Sequence, residues 1–168
     1  MKTSTFLAIF GLLAGAVAAE PASAVKVNFV DTDNFTDFTS SYSFPDRGRE
    51  TYIKELSKFI ERRAESRLPS DLQLEVVITD VDMAGEFEPW HGPNAQDIRI
   101  VKSLYPPRIN LSFRLARADG TVVSEGNRKL RDMSFMYSVR FNDDDPLRYE
   151  KQLIDSWLRQ ELRGQKRT

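Results

Sequence analysis

Residues 109–130 read INLSFRLARADGTVVSEGNRKL and decide the fold. Every second side chain in the first half of this stretch is apolar: Ile109, Leu111, Phe113 and Leu115. A period of two predicts a strand with one buried face. Asp119-Gly120 is a tight-turn dipeptide with the positive φ that a two-residue hairpin requires. We therefore predict that residues 109–117 pair antiparallel with residues 121–130, with Gly126 marking a bulge in the returning strand.

Two further strand patterns precede this hairpin. Aliphatic side chains again occupy every second position in one of them: Leu72, Leu74, Val76 and Ile78. This alternation predicts a second core strand beside the hairpin. Residues 25–30, VKVNFV, predict a short first strand, and residues 31–46 predict a polar loop that contains several aromatic side chains.

Two segments have the three- and four-residue spacing of amphipathic helices. The apolar face of the first consists of Ile53, Leu56, Phe59, Ile60 and Ala64. This helix should end at Leu68-Pro69, because the residue before a proline is disfavoured in the helical region. The second helix closes the chain, with Asp145 as its cap and Pro146 at its first position. Its buried stripe consists of Leu147, Leu153, Ile154, Trp157, Leu158 and Leu162.

The predicted elements follow the order strand, helix, several antiparallel strands, helix. Residues 133–141 also alternate, and a strand and a loop are equally consistent with that segment. The simplest arrangement is an α+β fold, a two-layer domain in which both helices pack on one face of a mostly antiparallel sheet. We expect residues 25–168 to form this single domain.

Residues 1–24 have the pattern of a secretory signal peptide. Lys2 supplies a positive start, and residues 6–17, FLAIFGLLAGAV, form an apolar run too short to span a bilayer. Small residues and a proline follow, which fits processing better than the alternative, a buried N-terminal helix. Two A-x-A patterns predict an exported chain that begins at Ala19 or Val25, and Val25 is preferred. We expect the periplasm as the destination, with the extracellular medium as the alternative.

The composition excludes several classes of protein. The chain has no cysteine, so neither a bacterial lipid anchor nor disulfides are expected. Hydrophobic content of 40% with 11% aromatic residues supports a packed globule. No later segment is apolar enough to cross a membrane, so the product should be soluble. The net charge of −1 argues against a nucleic-acid binder.

Charge is unevenly distributed along the chain. Residues 71–97 contain seven acidic and no basic residues, whereas residues 98–131 contain eight basic and two acidic ones. Adjacent blocks of opposite sign predict neighbouring strands whose solvent faces attract one another. A polar surface for a partner is the alternative.

Four carboxylates crowd the predicted end of the second strand: Asp80, Asp82, Glu86 and Glu88. Gly85 allows the backbone to turn sharply there. A calcium loop that starts at Asp80 fails, because its fifth and twelfth positions are Ala84 and His91. Asp80, Asp82 and Glu86 are therefore weak candidates for a metal site. The favoured interpretation is a strand end with its carboxylates in solvent.

His91 is the only histidine and lies in residues 88–93, EPWHGP, a segment rich in turn formers. A general base needs a nucleophile or an orienting carboxylate within reach, and no nucleophile-elbow motif is present. Zinc would lack ligands, because one histidine and no cysteine leave only carboxylates. We predict that His91 is exposed and that Trp90 covers the core. The alternative is a recognition surface formed by Trp90 and His91.

Several stretches resemble the bacterial domain-of-unknown-function 3016 family: residues 25–31 (VKVNFVD), 79–86 (TDVDMAGE), 106–109 (PPRI) and 149–151 (YEK), with Trp157. The similarity covers nearly the whole exported chain. Met83 stands where the family is expected to have leucine, which is a swap of similar volume. The resemblance implies a short exported protein of Gram-negative bacteria, and it implies no particular activity.

Two classes of function follow. The preferred hypothesis is a non-enzymatic exported module that binds a protein or a cell-envelope component, since a complete catalytic constellation is missing. The alternative is a metal-dependent or acid/base enzyme that uses Asp80, Asp82, Glu86 and His91, which requires these groups to converge in one pocket. The chain has no phosphate-binding glycine loop, and no cofactor is expected.

Overall fold

The computed structural model describes residues 24–92, 96–138 and 144–163. Its strands are β1 (Val25–Phe29), β2 (Leu72–Asp82), β3 (Glu86–Phe87), β4 (Arg99–Ile100), β5 (Arg108–Arg117) and β6 (Val122–Arg131). Its helices are α1 (Arg49–Glu65), α2 (Phe135–Ser138) and α3 (Arg148–Glu161). Nearly all of the predicted signal peptide lies outside the described residues. None of the helices in the described ranges is long and apolar enough to span a bilayer.

Four strands form the main sheet, in the order β1, β2, β5, β6, while β3 and β4 pair separately. β1 runs parallel to β2, because α1 lies between them in sequence and provides the crossover. The β2–β5 and β5–β6 pairs are antiparallel. α1 packs against β1 and α3, and α3 also contacts β6. The predicted α+β fold, with the helices against a mostly antiparallel sheet, is confirmed.

The core lies between the sheet and the two long helices. Both predicted strand alternations supply buried side chains: Leu72, Leu74, Val76, Ile78, Ile109, Leu111, Phe113 and Leu115. The helices contribute Leu56, Ile60, Ile154 and Leu158, all fully buried. Burying one such aliphatic side chain stabilises the fold by roughly 1.5–3 kcal/mol. The predicted core positions in these four elements are therefore confirmed, except that Ile53 is only partly buried.

The opposite face of the sheet is polar. One row of neighbouring residues crosses all four strands with alternating sign: Lys26, Glu75, Arg114 and Glu125. The Lys26 Nζ lies 3.8 Å from Glu75 Oε1, and the Arg114 Nε lies 3.9 Å from Glu125 Oε2. Exposed pairs of this kind contribute about 1 kcal/mol or less each. The predicted pairing of the two charge blocks is confirmed by β2 and β5, where Glu75 lies opposite Arg114 and Asp82 lies opposite Arg108, with 3.3 Å between Asp82 Oδ2 and an Arg108 nitrogen.

The hairpin between β5 and β6 is confirmed with strand bounds within one residue of those predicted, but its turn is of the three-residue type rather than the two-residue type. The N–H of Arg117 donates to the carbonyl of Thr121 at 2.8 Å, and the N–H of Gly120 donates to the carbonyl of Arg117 at 2.9 Å. The loop therefore comprises residues 118–120, with Gly120 at a φ of 87°. Three-residue hairpin loops that end in a left-handed glycine are common after the two-residue type.

Gly126 does not mark a bulge, contrary to the prediction. It pairs in regular register with Phe113, and the irregularity of the ladder lies between Leu115 and Ala116. A Cβ atom at Gly126 would lie 3.0 Å from the Nη1 of Arg128. The Arg128 guanidinium itself lies 4.7 Å from the centre of the Phe113 ring. Glycine at this position therefore makes room for the arginine.

The segment before α3 also differs from the prediction. Residues 135–138 form the short helix α2, so both interpretations, strand and loop, were wrong for this part of residues 133–141. Phe135 is buried, with its ring edge-on to Tyr149 at 4.9 Å. The Oδ1 of Asp145 accepts the N–H of Leu147 at 2.9 Å, as a helix cap does, although α3 itself begins two residues later than Pro146.

Candidate functional site

Two loops lie side by side at the end of β2. The first covers residues 36–48, before α1, and the second covers the described part of residues 83–107. Asp37 joins them, because its N–H donates to the carbonyl of Val81 and its carbonyl accepts the N–H of Met83, both at 3.0 Å. We call these segments the loop pair.

Arg99 fastens the loop pair together. One guanidinium nitrogen donates to Asp37 Oδ1 at 2.8 Å and to the Thr39 carbonyl at 3.0 Å, and the other reaches the Gly85 carbonyl at 3.2 Å. The same guanidinium lies 4.3 Å from the centre of the Phe87 ring. Gly85 has a φ of 84°, and a Cβ there would come within 2.8 Å of the Ile100 carbonyl oxygen. The predicted sharp turn at this glycine is confirmed.

Asp97 anchors the first loop from the second. Its Oδ1 accepts hydrogen bonds from the Ser41 hydroxyl at 2.7 Å and the Ser43 N–H at 2.9 Å, and its Oδ2 accepts one from the Ser43 hydroxyl at 3.0 Å. The Ser43 main-chain hydrogen bond, followed by the Ser41 hydroxyl, lowers the pKa of Asp97. Asp97 therefore stays ionised and holds both serines near neutral pH.

Glu88 organises the second loop, and it is buried rather than solvated as predicted. The Lys102 ammonium lies 2.7 Å from both carboxylate oxygens. The Tyr105 hydroxyl donates to Oε1 at 3.0 Å, and the His91 Nε2 lies 2.8 Å from Oε2. The hydrogen bond from Lys102, with smaller effects of Tyr105 and His91, lowers the pKa of Glu88. A buried carboxylate is tolerated here because its oxygens are fully bonded.

The loop pair presents large apolar side chains to solvent: Tyr42, Phe44, Trp90, Ile98 and Leu104. We call these residues the aromatic loop surface. Trp90 is 69% exposed and Leu104 is 72% exposed, so the prediction that Trp90 covers the core is wrong. The Tyr42 ring lies 6.3 Å from that of Phe87, beside the turn that carries Trp90. The polar contacts of Arg99, Asp97 and Glu88 therefore hold loops whose apolar side chains lie away from the core.

The predicted acidic candidates lie in separate environments. Asp80 accepts hydrogen bonds from the N–H and hydroxyl of Thr36 and from Asn110. Asp82 lies 3.3 Å from an Arg108 nitrogen, and its partial burial raises its pKa in spite of that cation. Glu86 accepts the N–H of Phe87. Within the described ranges, no three His, Asp or Glu side chains are grouped so that they could hold a metal ion.

His91 is exposed, as predicted, and it has an orienting carboxylate that the sequence did not reveal. That carboxylate is Glu88, not the Asp82 or Glu86 that the enzyme hypothesis requires. The neighbouring Trp90 ring lies 6.0 Å from the imidazole. No hydroxyl nucleophile bonds to His91 in the described part of the chain. The arrangement orients a surface imidazole and builds no nucleophile–base pair.

Residues 23–160 match the family model for DUF3016, a protein of unknown function. The chain belongs to the DUF3016 family. This membership confirms the resemblance carried by residues 25–31, 79–86, 106–109 and 149–151, and it brings no assigned activity. Neither the curated proteins nor the solved structures contain a match to the chain. The functional evidence for this DUF3016 protein therefore lies in its own residues.

Proposed function

We propose that this DUF3016 protein is an exported, periplasmic, non-enzymatic module that binds a protein or a cell-envelope component through the aromatic loop surface. The observation that carries the proposal is the exposed Trp90 on a turn held by the buried Glu88. Tryptophan is enriched at interfaces, because its large ring supplies contact area with little loss of conformational freedom.

The number and placement of these side chains support the proposal. Single exposed apolar residues are ordinary, but an exposed group on adjoining loops is typical of an interaction site. Fully burying one large apolar side chain stabilises a protein by roughly 1.5–3 kcal/mol. The exposed side chains of the aromatic loop surface do not contribute this stabilisation to the fold, but they can contribute it to binding. The polar contacts of Arg99 and Asp97 hold the loops in place, so little ordering would be required on binding.

Charges around the surface also suit recognition. Lys102 is half-exposed beside Leu104, and Arg47 lies 4.9 Å from the Phe44 ring centre. Such rim charges guide a partner and set its orientation more than they add affinity. The same region lacks the convergent acid, base and nucleophile of an active site among its described residues.

The binding proposal can be tested with a photo-crosslinking amino acid placed at position 104 in the protein expressed in a Gram-negative host. We expect one discrete adduct, which disappears when Trp90→Ala is added. The matched control carries the crosslinker at the exposed Gln73, near the start of β2 and far along the strand from the loop pair. Equal labelling from positions 73 and 104, or no adduct from position 104, would contradict the proposal.

Export is tested separately. Residues 1–24 fused to a reporter that is active only outside the cytoplasm should give activity, and N-terminal sequencing of the full-length product should begin at Val25. Fractionation of the cells then distinguishes the periplasm from the medium. An uncleaved product that stays with the cytoplasmic fraction would exclude export.

A further inference from the structure

A small cavity lies where α1, the end of β2, the segment after β4 and the start of α3 meet. Its volume is about 190 Å³, and its walls include Tyr52, Ala84, Val101, Arg148 and Tyr149. Ligand pockets for drug-sized molecules measure about 300–1,000 Å³. This cavity therefore suits a molecule smaller than a typical drug.

Arg148 is a cation on the wall of this cavity. Arg148 donates to the carbonyl of Asp145 at 3.2 Å and to the hydroxyl of Tyr149 at 3.3 Å, and it stacks 4.5 Å from the Tyr149 ring centre. Among the described residues it forms no ion pair. Arg99, which also lines the cavity, is neutralised by Asp37. A guanidinium with unused N–H groups favours a planar carboxylate, which it can bind through two hydrogen bonds.

A second group at the cavity, Tyr52, favours an acceptor ligand. The hydroxyl of Tyr52 forms no hydrogen bond within the described residues, and burial raises its pKa, so it stays protonated and can donate.

The remaining wall is apolar. Met83, Val101 and Pro146 contribute aliphatic surface, and the rings of Tyr52 and Tyr149 contribute aromatic surface. Inorganic anions gain nothing from such surface, whereas the body of an organic acid does. We propose that the cavity is a binding site for a small organic monocarboxylate, whose carboxylate is held by Arg148 and Tyr52 and whose apolar body lies against Met83 and Val101. This site does not depend on the aromatic loop surface.

Isothermal titration of the purified protein tests the proposal, with benzoate, butyrate and inorganic phosphate as probes. We expect saturable binding of benzoate or butyrate, weakened about tenfold or more by Arg148→Gln and several-fold by Tyr52→Phe. Arg159→Gln is the matched control, because Arg159 is an exposed arginine on the same helix and does not line this cavity. The Arg159→Gln variant should bind benzoate or butyrate with the same affinity as the wild type.

Three outcomes would overturn the assignment. Binding of phosphate in preference to both carboxylates would indicate a general oxyanion site. Equal weakening by Arg148→Gln and Arg159→Gln would place the ligand elsewhere on the helix. No saturable binding of either carboxylate at about 20 mM, with circular dichroism showing a folded protein, would mean that the cavity holds only solvent.

Discussion

The carboxyl group of Glu150 accepts the main-chain N–H of Ala84 at 2.8 Å, although the side chain is completely buried. This contact ties the start of α3 to the turn after β2. Burial raises the pKa of Glu150 from 4.5 to about 7, and the N–H of Ala84 and the nearby arginines only partly oppose it. The folded protein therefore binds a proton that the unfolded chain has released between these two pH values.

Stability should consequently fall as the pH rises from about 4.5 to 7, and the loss from this group is on the order of 3 kcal/mol. Urea unfolding at several pH values measures it. Glu150→Gln is expected to remove this component of the pH dependence, whereas Glu125→Gln on the open face of the sheet should leave it unchanged. Identical pH slopes for Glu150→Gln and the wild type would contradict the assignment.

The stability that Glu88 provides should depend on pH in the opposite direction. Its pKa is lowered by Lys102, so the stability it provides is complete above the ordinary pKa of 4.5 and is lost as the pH falls through the lower native value. We expect Glu88→Gln to lower the melting temperature at pH 7, and we expect the difference from the wild type to shrink in acid. Glu86→Gln is the neighbouring control, because the amide can still accept the N–H of Phe87.

Gly85→Ala should destabilise the protein by about 1–3 kcal/mol, and by more than Gly120→Ala. Both glycines have a similar left-handed φ, 84° and 87°, so the backbone cost is matched. Only at Gly85 would the new Cβ meet another atom, the Ile100 carbonyl oxygen at 2.8 Å. Chemical denaturation gives the free energy of unfolding of both variants, and the difference between them isolates the effect of that contact. Equal losses would show that the close approach of β4 to this turn is not rigid.

The core assignment predicts a large difference between two further variants. Leu158→Ala removes a completely buried side chain and should cost about 2–5 kcal/mol, while Leu158→Asp should prevent folding. His91→Ala should cost less than about 1 kcal/mol, because Lys102 and Tyr105 still satisfy Glu88. Thermal unfolding monitored by circular dichroism measures all three. A tolerated Leu158→Asp would mean that α3 does not pack as described.

Divalent metals should leave the stability unchanged. A native-state ligand at a hundred times its dissociation constant adds about 2.7 kcal/mol, which raises the midpoint of a chain this long by roughly 5–10 °C. We expect no such shift when calcium, magnesium or zinc follows a chelator. A shift that Asp80→Ala with Asp82→Ala abolishes would establish a metal site at the end of β2 and restore the enzyme hypothesis.

Most of the fold was predictable from sequence, because the decisive patterns are local. The alternation around Phe113 and the helical spacing around Ile154 each identify a buried face without knowledge of its neighbours. The loop pair was not predictable in this way. Arg99 and Asp37 are 62 residues apart, and Glu88 and Lys102 are 14 apart, so no short spacing links them. The adjacent acidic and basic blocks signalled only the second of these pairs, because Asp37 lies outside residues 71–97.

Trp90 and Gly126 show a second limit. Tryptophan is usually buried, so the residue type alone predicts that Trp90 covers the core. In the structure, the turn held by Glu88 leaves the Trp90 ring exposed to solvent. A glycine within a strand predicts a bulge or a close approach equally well. At Gly126 the deciding group is the side chain of Arg128, two residues along the same strand.

The side chain of Arg128 also affects the outer edge of β6. The arginine turns back over Phe113 and forms an ion pair with Glu161 of α3 at 2.9 Å, so a charged group covers the helix side of this edge strand. Lys129 and Arg131 add charge along the same strand, and the irregular register near Val122 distorts it. These features discourage the addition of a fifth strand from another molecule. This edge of the sheet thereby resists the edge-to-edge stacking that turns exposed sheets into aggregates.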